Sequence, residues 1–380
     1  MSVHRVNRRT LLAAGGAAVT GVALANGSRT QDARTVRCGI VGVGGRGTAL
    51  LRAALQVDGV EVPAICDLDP AARGKASESI QKAGGRKPDE TEDWKQLLAR
   101  DDLTAVMAAL PCDLHYPMYR DALLAGKHIY AEKPLCLTVE HADALVKLAE
   151  STGKVVQVGY QRRFGTQLKQ TVKLFKEGVT GPPFDGRGGR FSSTMIRKPG
   201  EWLSFRERSG DWMLENAVHN WDLLNWALGE LPVSASGTGR QDIFKEQDPQ
   251  RNVSDYYTTT LRYKSGLPYV WVHSWLAPPH PLYSSTYEQL IGPTAAIDFA
   301  KGSIIYQQGK AVGEPVRQIP APEREDSTLL ALQSFFQCTR TGRQPEVGVR
   351  EGRDATLVGL LVRKAVYEHR VVTMEEILKG

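Results

Sequence analysis

The sequence predicts an N-terminal doubly wound parallel sheet wrapped by helices, followed by a C-terminal α/β domain built on an open, mainly antiparallel sheet. Three observations carry this. Short β-branched runs alternate with amphipathic stretches from Val36 to Gly159. The first run leads straight into Gly42-Val43-Gly44-Gly45-Arg46-Gly47, a G-x-G-x-x-G spacing. After Tyr160 the texture changes to alternating runs separated by turn residues.

In chain order, parallel strands are expected at Val36–Val41, Val60–Cys66, Ala105–Leu110, His128–Ala131 and Val155–Val158, with helices between them. This gives a Rossmann domain over residues 36–158. Residues 159–380 form the second, substrate-binding and oligomerisation domain. In it, Tyr256–Tyr263 and Tyr269–Ser274 read as a hairpin across Lys264-Ser265-Gly266-Leu267-Pro268. Strand-like runs follow at Tyr287–Ile291, Ala295–Phe299 and Ser303–Gln307. An open sheet with one apolar face needs a cover, so a homo-oligomer is expected.

Ahead of both domains, Arg8-Arg9-Thr10-Leu11-Leu12 opens an Ala/Gly-rich stretch ending in Ala23-Leu24-Ala25, an A-x-A cleavage pattern. Residues 1–25 thus read as a twin-arginine export signal, which predicts a periplasmic or otherwise exported protein. That route carries folded proteins with their cofactors, so a tightly retained nucleotide is expected. Apart from the signal, no apolar run approaches the roughly 20 residues needed to span a bilayer, and no membrane insertion is expected after cleavage. The net charge of +6 owes half to Arg5, Arg8 and Arg9. The remainder is too small and too evenly spread for a nucleic-acid partner. Cys38, Cys66, Cys112, Cys136 and Cys338 lie mostly in or beside apolar runs, without metal-ligand or C-x-x-C spacing, and read as buried thiols.

A glycine turn between strand and helix lets backbone N–H groups approach a pyrophosphate, with the helix N-terminus adding partial positive charge. Gly42 permits the turn, Gly44 and Gly45 the approach, and Gly47 the helix packing, with Arg46 beside them. Asp67 ends the second run about 20 residues on, where an acid takes the ribose 2′-hydroxyl. An acid there repels a 2′-phosphate and favours NAD; Arg46 and Arg73 leave NADP as the alternative. Glu132-Lys133-Pro134 emerges from the strand His128–Ala131 at the carboxyl edge, where ligands bind in open α/β sheets. Pro111 and His115 follow another strand to the same edge, His115 as a packing or capping residue near the cofactor.

Glu215 and His219 are four apart in Trp212–Leu228, a stretch closed by Gly229, so both are expected on one helix face. A carboxylate beside an imidazole suits a general base, and a solvent-facing pair is the plainer reading. No metal site is expected, because no H-E-x-x-H-type spacing occurs. Six of the seven tryptophans fall between Trp202 and Trp275, and about two of them, Trp212 among the candidates, are expected to line a pocket.

Together these residues resemble the family of glucose-fructose oxidoreductase, inositol dehydrogenase and the rhizopine-catabolism protein, often called Gfo/Idh/MocA. The likeness spans nearly the whole mature chain: Gly42–Gly47, Asp67, Ala125-Gly126-Lys127-His128 leading to Glu132-Lys133-Pro134, Gly159-Tyr160-Gln161-Arg162-Arg163-Phe164, and His219-x-x-Asp222. It implies that Lys133 is the catalytic lysine and His219 the general acid/base, with Glu215 beside it. Family members usually carry Asp four residues before that histidine, one methylene shorter than Glu215. Tyr160, Arg163, Trp212 and Asp222 are assigned to the substrate, a sugar, cyclitol or glycoside lying between the nicotinamide and His219. Some exported relatives are glycosidases that use NAD without net redox change. Such enzymes often lack an intact Glu-Lys-Pro, so its presence favours an oxidoreductase. A sugar-binding protein that has lost its chemistry is the remaining alternative, opposed by the joint presence of Lys133 and His219.

Overall fold

The computed structural model describes residues 35–193, 199–280, 282–283, 285–307 and 315–379. The signal segment with its twin arginines and cleavage pattern lies outside them.

Six parallel strands form the first sheet: β1 (Val36–Val41), β2 (Val60–Cys66), β3 (Asp89–Thr91), β4 (Ala105–Ala108), β5 (His128–Ala131) and β6 (Val156–Val158). Their order is β3-β2-β1-β4-β5-β6, so the winding reverses between β1 and β4 and opens a crevice at the carboxyl edge there. β1 and β4 are buried almost throughout, which is why their sequences are continuous apolar runs. β3 escapes a pattern search because Asp89-Glu90-Thr91 is a polar three-residue edge strand. β4 stops at Ala108, short of the expected Leu110, because the chain turns out of the sheet toward Pro111.

The second sheet adds β7 (Asp185–Phe191), β8 (Ser234–Arg240), β9 (Tyr256–Arg262), β10 (Pro268–Ser274), β11 (Thr286–Ile291), β12 (Ala295–Asp298), β13 (Ser303–Tyr306), β14 (Val316–Gln318) and β15 (Val372–Thr373). Their order is β14-β13-β12-β11-β7-β10-β9-β8-β15, antiparallel except for the β7–β10 pair. The expected hairpin is present, with Tyr269 opposite Leu261 and Trp271 opposite Thr259. β7 sits mid-sheet although Asp-Gly-Arg-Gly-Gly-Arg-Phe reads as a loop. Its glycines have a packing cause: a Cβ on Gly188 would lie 2.8 Å from the Trp271 ring. In β8, a Cβ on Gly237 would meet Val366 of the helix Val349–Glu368 at 2.8 Å, so the glycine admits that helix to the sheet.

Two departures concern helices. The expected helix Trp212–Leu228 is two: Trp212–Glu215 and Val218–Leu228, parted at Asn216 and Ala217 and ended by Gly229 in the left-handed region. The helix Ser327–Thr341, which sequence places with the second domain, packs on the first. Asp326 starts it by accepting from the N–H groups of Thr328 and Leu329, and Gly342 ends it. Gln157 Nε2 donates to Ala331 O at 2.6 Å, and the Phe335 ring meets Tyr130 edge-on at 5.8 Å. A helix that follows most of the second sheet in sequence thereby closes the core of the first domain.

Phe335 is fully buried in that contact. Phe335→Ala is expected to cost about 3–5 kcal/mol in urea unfolding, and a loss under about 1 kcal/mol would show that the first sheet does not depend on this helix.

Candidate active site

The crevice is a cleft of about 1020 Å³ that runs from the glycine turn and Asp67, past Pro111 and Lys133, to Trp212 and Trp275 of the second domain. Gly42 has a φ of +82°, and a Cβ there would lie 2.1 Å from Ala109 O. At Gly47 a Cβ would meet Gly42 O at 1.9 Å, so the helix Gly45–Ala54 seats directly on the turn. Gly44 and Gly45 have nothing within 4 Å of their Cβ positions. The helix N-terminus carries no side-chain cap and no acid in its first turn. Its free N–H groups and open glycine faces fit a pyrophosphate.

At the far end of this turn, Asp67 Oδ2 accepts from Val43 N–H at 2.7 Å and Oδ1 from Asp69 N–H at 3.0 Å. The two arginines that would favour NADP are both engaged. Arg73 pairs with Glu92 at 3.1 Å and lies 3.6 Å from Glu90. Arg46 pairs with Glu132 at 2.8 Å. With Asp67 and Glu92 lining it, this end offers carboxylates to a ribose diol and, among the described residues, no free cation to a 2′-phosphate. The residues fit NAD.

Lys133 leaves β5 at the carboxyl edge, and its ammonium donates to Glu215 Oε1 at 2.9 Å and to the Glu215 carbonyl. Burial works against the charge, but the carboxylate outweighs it and the lysine pKa is raised. The Trp212–Glu215 turn that presents this carboxylate is fixed at its start by Asp211, a non-glycine residue at φ 66°. Asp211 accepts from Trp212 N–H at 2.6 Å, from Ser254 N–H at 3.0 Å and from the Tyr367 hydroxyl, enough to hold a sparsely populated conformation.

The helix break changes the expected Glu215–His219 pairing, because Glu215 turns to Lys133. His219 is half-buried, its Nδ1 is enclosed without a partner, and it stands behind Glu215 and Asn216, which line the cleft, rather than in the lining itself. Tyr160, fully buried, meets it edge-on at 5.8 Å. Burial and then the charges of Lys133, Arg162, Arg46 and Arg190 hold its pKa well below the ordinary 6.5, so the imidazole is neutral at pH 7.

Other expected contacts lie elsewhere. Arg163 and Asp222 form a buried two-pronged ion pair at 2.8 and 2.7 Å, which anchors the helix Val218–Leu228 rather than facing the cleft. His115 is buried and set between Pro134 O and Leu110 O at 2.6 and 3.0 Å; it ties the two turns that wall the cleft instead of lining it. Glu132 reaches the cleft wall, but its carboxylate is taken by Arg46. Of the six clustered tryptophans, Trp202, Trp212 and Trp275 line the cleft, while Trp221 and Trp271 are core. Pattern reading missed Arg190, hidden in the glycine-rich β7, and the Arg162–Glu288–Asn220 network beneath it. Among the described residues no group of three or more His, Cys, Asp or Glu is placed to hold a metal ion, and no helix is long and apolar enough to cross a membrane.

The two kinds of glycine separate experimentally. Gly47→Ala is expected to cost about 1–3 kcal/mol of stability through overpacking. Gly44→Ala should leave stability within about 0.5 kcal/mol yet weaken NAD binding about tenfold or more, measured by calorimetric titration.

Comparison with known proteins agrees with this architecture. Residues 36–160 match the GFO/IDH/MocA oxidoreductase family with an NAD-binding Rossmann fold, and residues 168–305 match the C-terminal domain of the same family. A glycosyl hydrolase family 109 protein of Shewanella sp. strain ANA-3 is 30% identical over 234 residues, 53% of this chain and 51% of that protein. An alpha-N-acetylgalactosaminidase of Shewanella oneidensis is 29% identical over the same shares. The chain thus spans about half the length of the curated relatives it matches. Among solved structures, a levoglucosan dehydrogenase in complex with NADH and levoglucosan superposes with a TM-score of 0.76 at 18% identity, covering 89% of this chain and 99% of that one. An aldose-aldose oxidoreductase from Caulobacter crescentus gives 0.74 at 22% identity, over 90% and 100%. Both domain matches fall on one family in chain order, and the chain belongs to the GFO/IDH/MocA family of NAD-binding oxidoreductases.

Proposed function

We propose that this chain is an NAD-dependent oxidoreductase acting on a hydroxyl-bearing carbon of a sugar, cyclitol or glycoside. The observation that carries the reading is the Lys133 ammonium, fixed by Glu215 at 2.9 Å in a cleft that also holds an open glycine turn. Bound there, NAD supplies the acceptor and donor for a hydride. An ammonium has three protons, and Glu215 takes two through its carboxylate and carbonyl, leaving one for a substrate oxygen. Lys133 thereby holds that oxygen and stabilises charge developing on it. His219, neutral, takes the hydroxyl proton at Nε2. Trp212 and Trp275, 4.6 Å apart between ring centroids, give flat faces for the C–H surface of a sugar ring.

A second reading is favoured by the family 109 relatives. The same residues would serve a glycosidase in which oxidation acidifies a neighbouring C–H, the leaving group is eliminated, water adds, and the carbon is reduced again. A chromogenic glycoside incubated without added NAD separates the two: aglycone release with no lasting change in nicotinamide absorbance indicates the glycosidase. Tight retention of the nucleotide and export through the twin-arginine route belong to this proposal, and rest on Arg8-Arg9 and Ala23-Leu24-Ala25. So does assembly of copies through the open face of the second sheet, which exposes Val270, Ile305 and Val316.

Lys133→Ala is expected to lower kcat by about 10²–10³ while NAD affinity changes only a few-fold; full activity in the NAD-loaded variant removes the assignment. The acid limb of kcat/KM should fall below pH 6.5, because His219 stays neutral there. A limb at or above 6.5 would show that another group, or a solvated histidine, carries the proton.

A further inference from the structure

Among the described residues, the cations lining the cleft are matched one by one, with a single exception. Arg46 pairs with Glu132 at 2.8 Å, Lys133 with Glu215 at 2.9 Å, and Arg208 with Asp113 at 3.2 Å. Arg190 also lines the cleft, from the end of β7, and its guanidinium makes no hydrogen bond or ion pair among the described residues; its Nε is enclosed without a partner. The acids nearest it are committed. Glu215 holds Lys133, and Glu288 is gripped by both nitrogens of Arg162 and by Asn220. Opposite Arg190 across the ladder is His273, buried and held neutral by burial, which supplies no counter-charge.

A partly buried guanidinium without a direct counter-ion is costly, and among the described residues Glu215 and Glu288 favour its charge only from a distance, each already committed to another cation. Its position explains its retention. Arg190 stands in the wall that includes Ser192, Trp212 and Trp275, at the end of the cleft that holds Glu215. Its planar fork matches a carboxylate with two parallel hydrogen bonds. One unmatched positive charge calls for one negative charge, and a phosphate ester near −2 would leave charge unmet.

We propose that Arg190 is a specificity-determining residue and that the cleft selects a sugar carrying a carboxylate, a uronic or aldonic acid, over its neutral parent. This rests on reading the cleft as a carbohydrate site.

The test uses the purified NAD-loaded protein, with cleft tryptophan fluorescence for binding and nicotinamide absorbance for turnover. The probes are glucuronate, galacturonate and gluconate against glucose and galactose, with glucose 6-phosphate as the competing anion. At least one acid should bind about 10–100-fold tighter than its neutral parent and tighter than the phosphate ester. Arg190→Gln, checked for a native circular-dichroism spectrum, should bring that ratio close to one, and Arg190→Lys should restore part of it. Equal binding of acid and neutral sugar, preference for the phosphate ester, an unchanged ratio in Arg190→Gln, or no binding of any acid overturns the proposal. The two readings part cleanly. Selective acid binding with no absorbance change would sink the oxidoreductase reading and keep Arg190, whereas equal turnover of acid and neutral sugars would do the reverse.

Discussion

The contact between Lys133 and Glu215 joins an amine at the carboxyl edge of the first sheet to a carboxylate at the start of the second domain. Few features of the cleft make sense without it. The lysine is half-buried, and alone it would be driven toward the neutral form; the carboxylate keeps it charged and consumes two of its three protons. The pair also fixes where the remaining proton is offered. Asp211, held at a positive φ by Ser254 and Tyr367, sets the turn that delivers Glu215, so a long helix from the end of the chain takes part in placing the carboxylate.

The two domains divide the work by the groups they contribute. The first gives backbone: open glycine faces, a helix end and a carboxylate edge, all suited to a nucleotide and indifferent to what reacts beyond it. The second gives side chains: tryptophan faces, the Glu215 carboxylate and a guanidinium unmatched among the described residues. The helix Ser327–Thr341 returns to the first sheet, so the nucleotide platform is complete only when the rest of the chain has been made.

Legibility followed burial. β1 and β5 are short, apolar and largely enclosed, β2 is enclosed over its last three residues, and their bounds are readable from β-branched runs. The glycine turn and Asp67 were readable because their spacing is imposed by the backbone. What escaped is set by partners distant in sequence. β7 looks like a loop until the Tyr269 and Trp271 rings that need its glycines are in view. Helical periodicity placed Glu215 beside His219, yet the chain breaks at Asn216 and the carboxylate answers to Lys133, 82 residues away. Asp222 and Arg163 stand in motifs that suggested ligand contact, and a buried ion pair satisfies them instead. Arg190 carries no local signal; only the pairing of its neighbours reveals it.

A double-mutant cycle on kcat/KM, with Lys133→Met, Glu215→Gln and both together, tests most directly whether the pair acts as one unit. If Glu215 serves by holding the Lys133 amine, the double variant should be no slower than Lys133→Met alone, giving strongly non-additive losses. Losses that simply add would mean that the carboxylate acts independently of the amine, and would contradict the account.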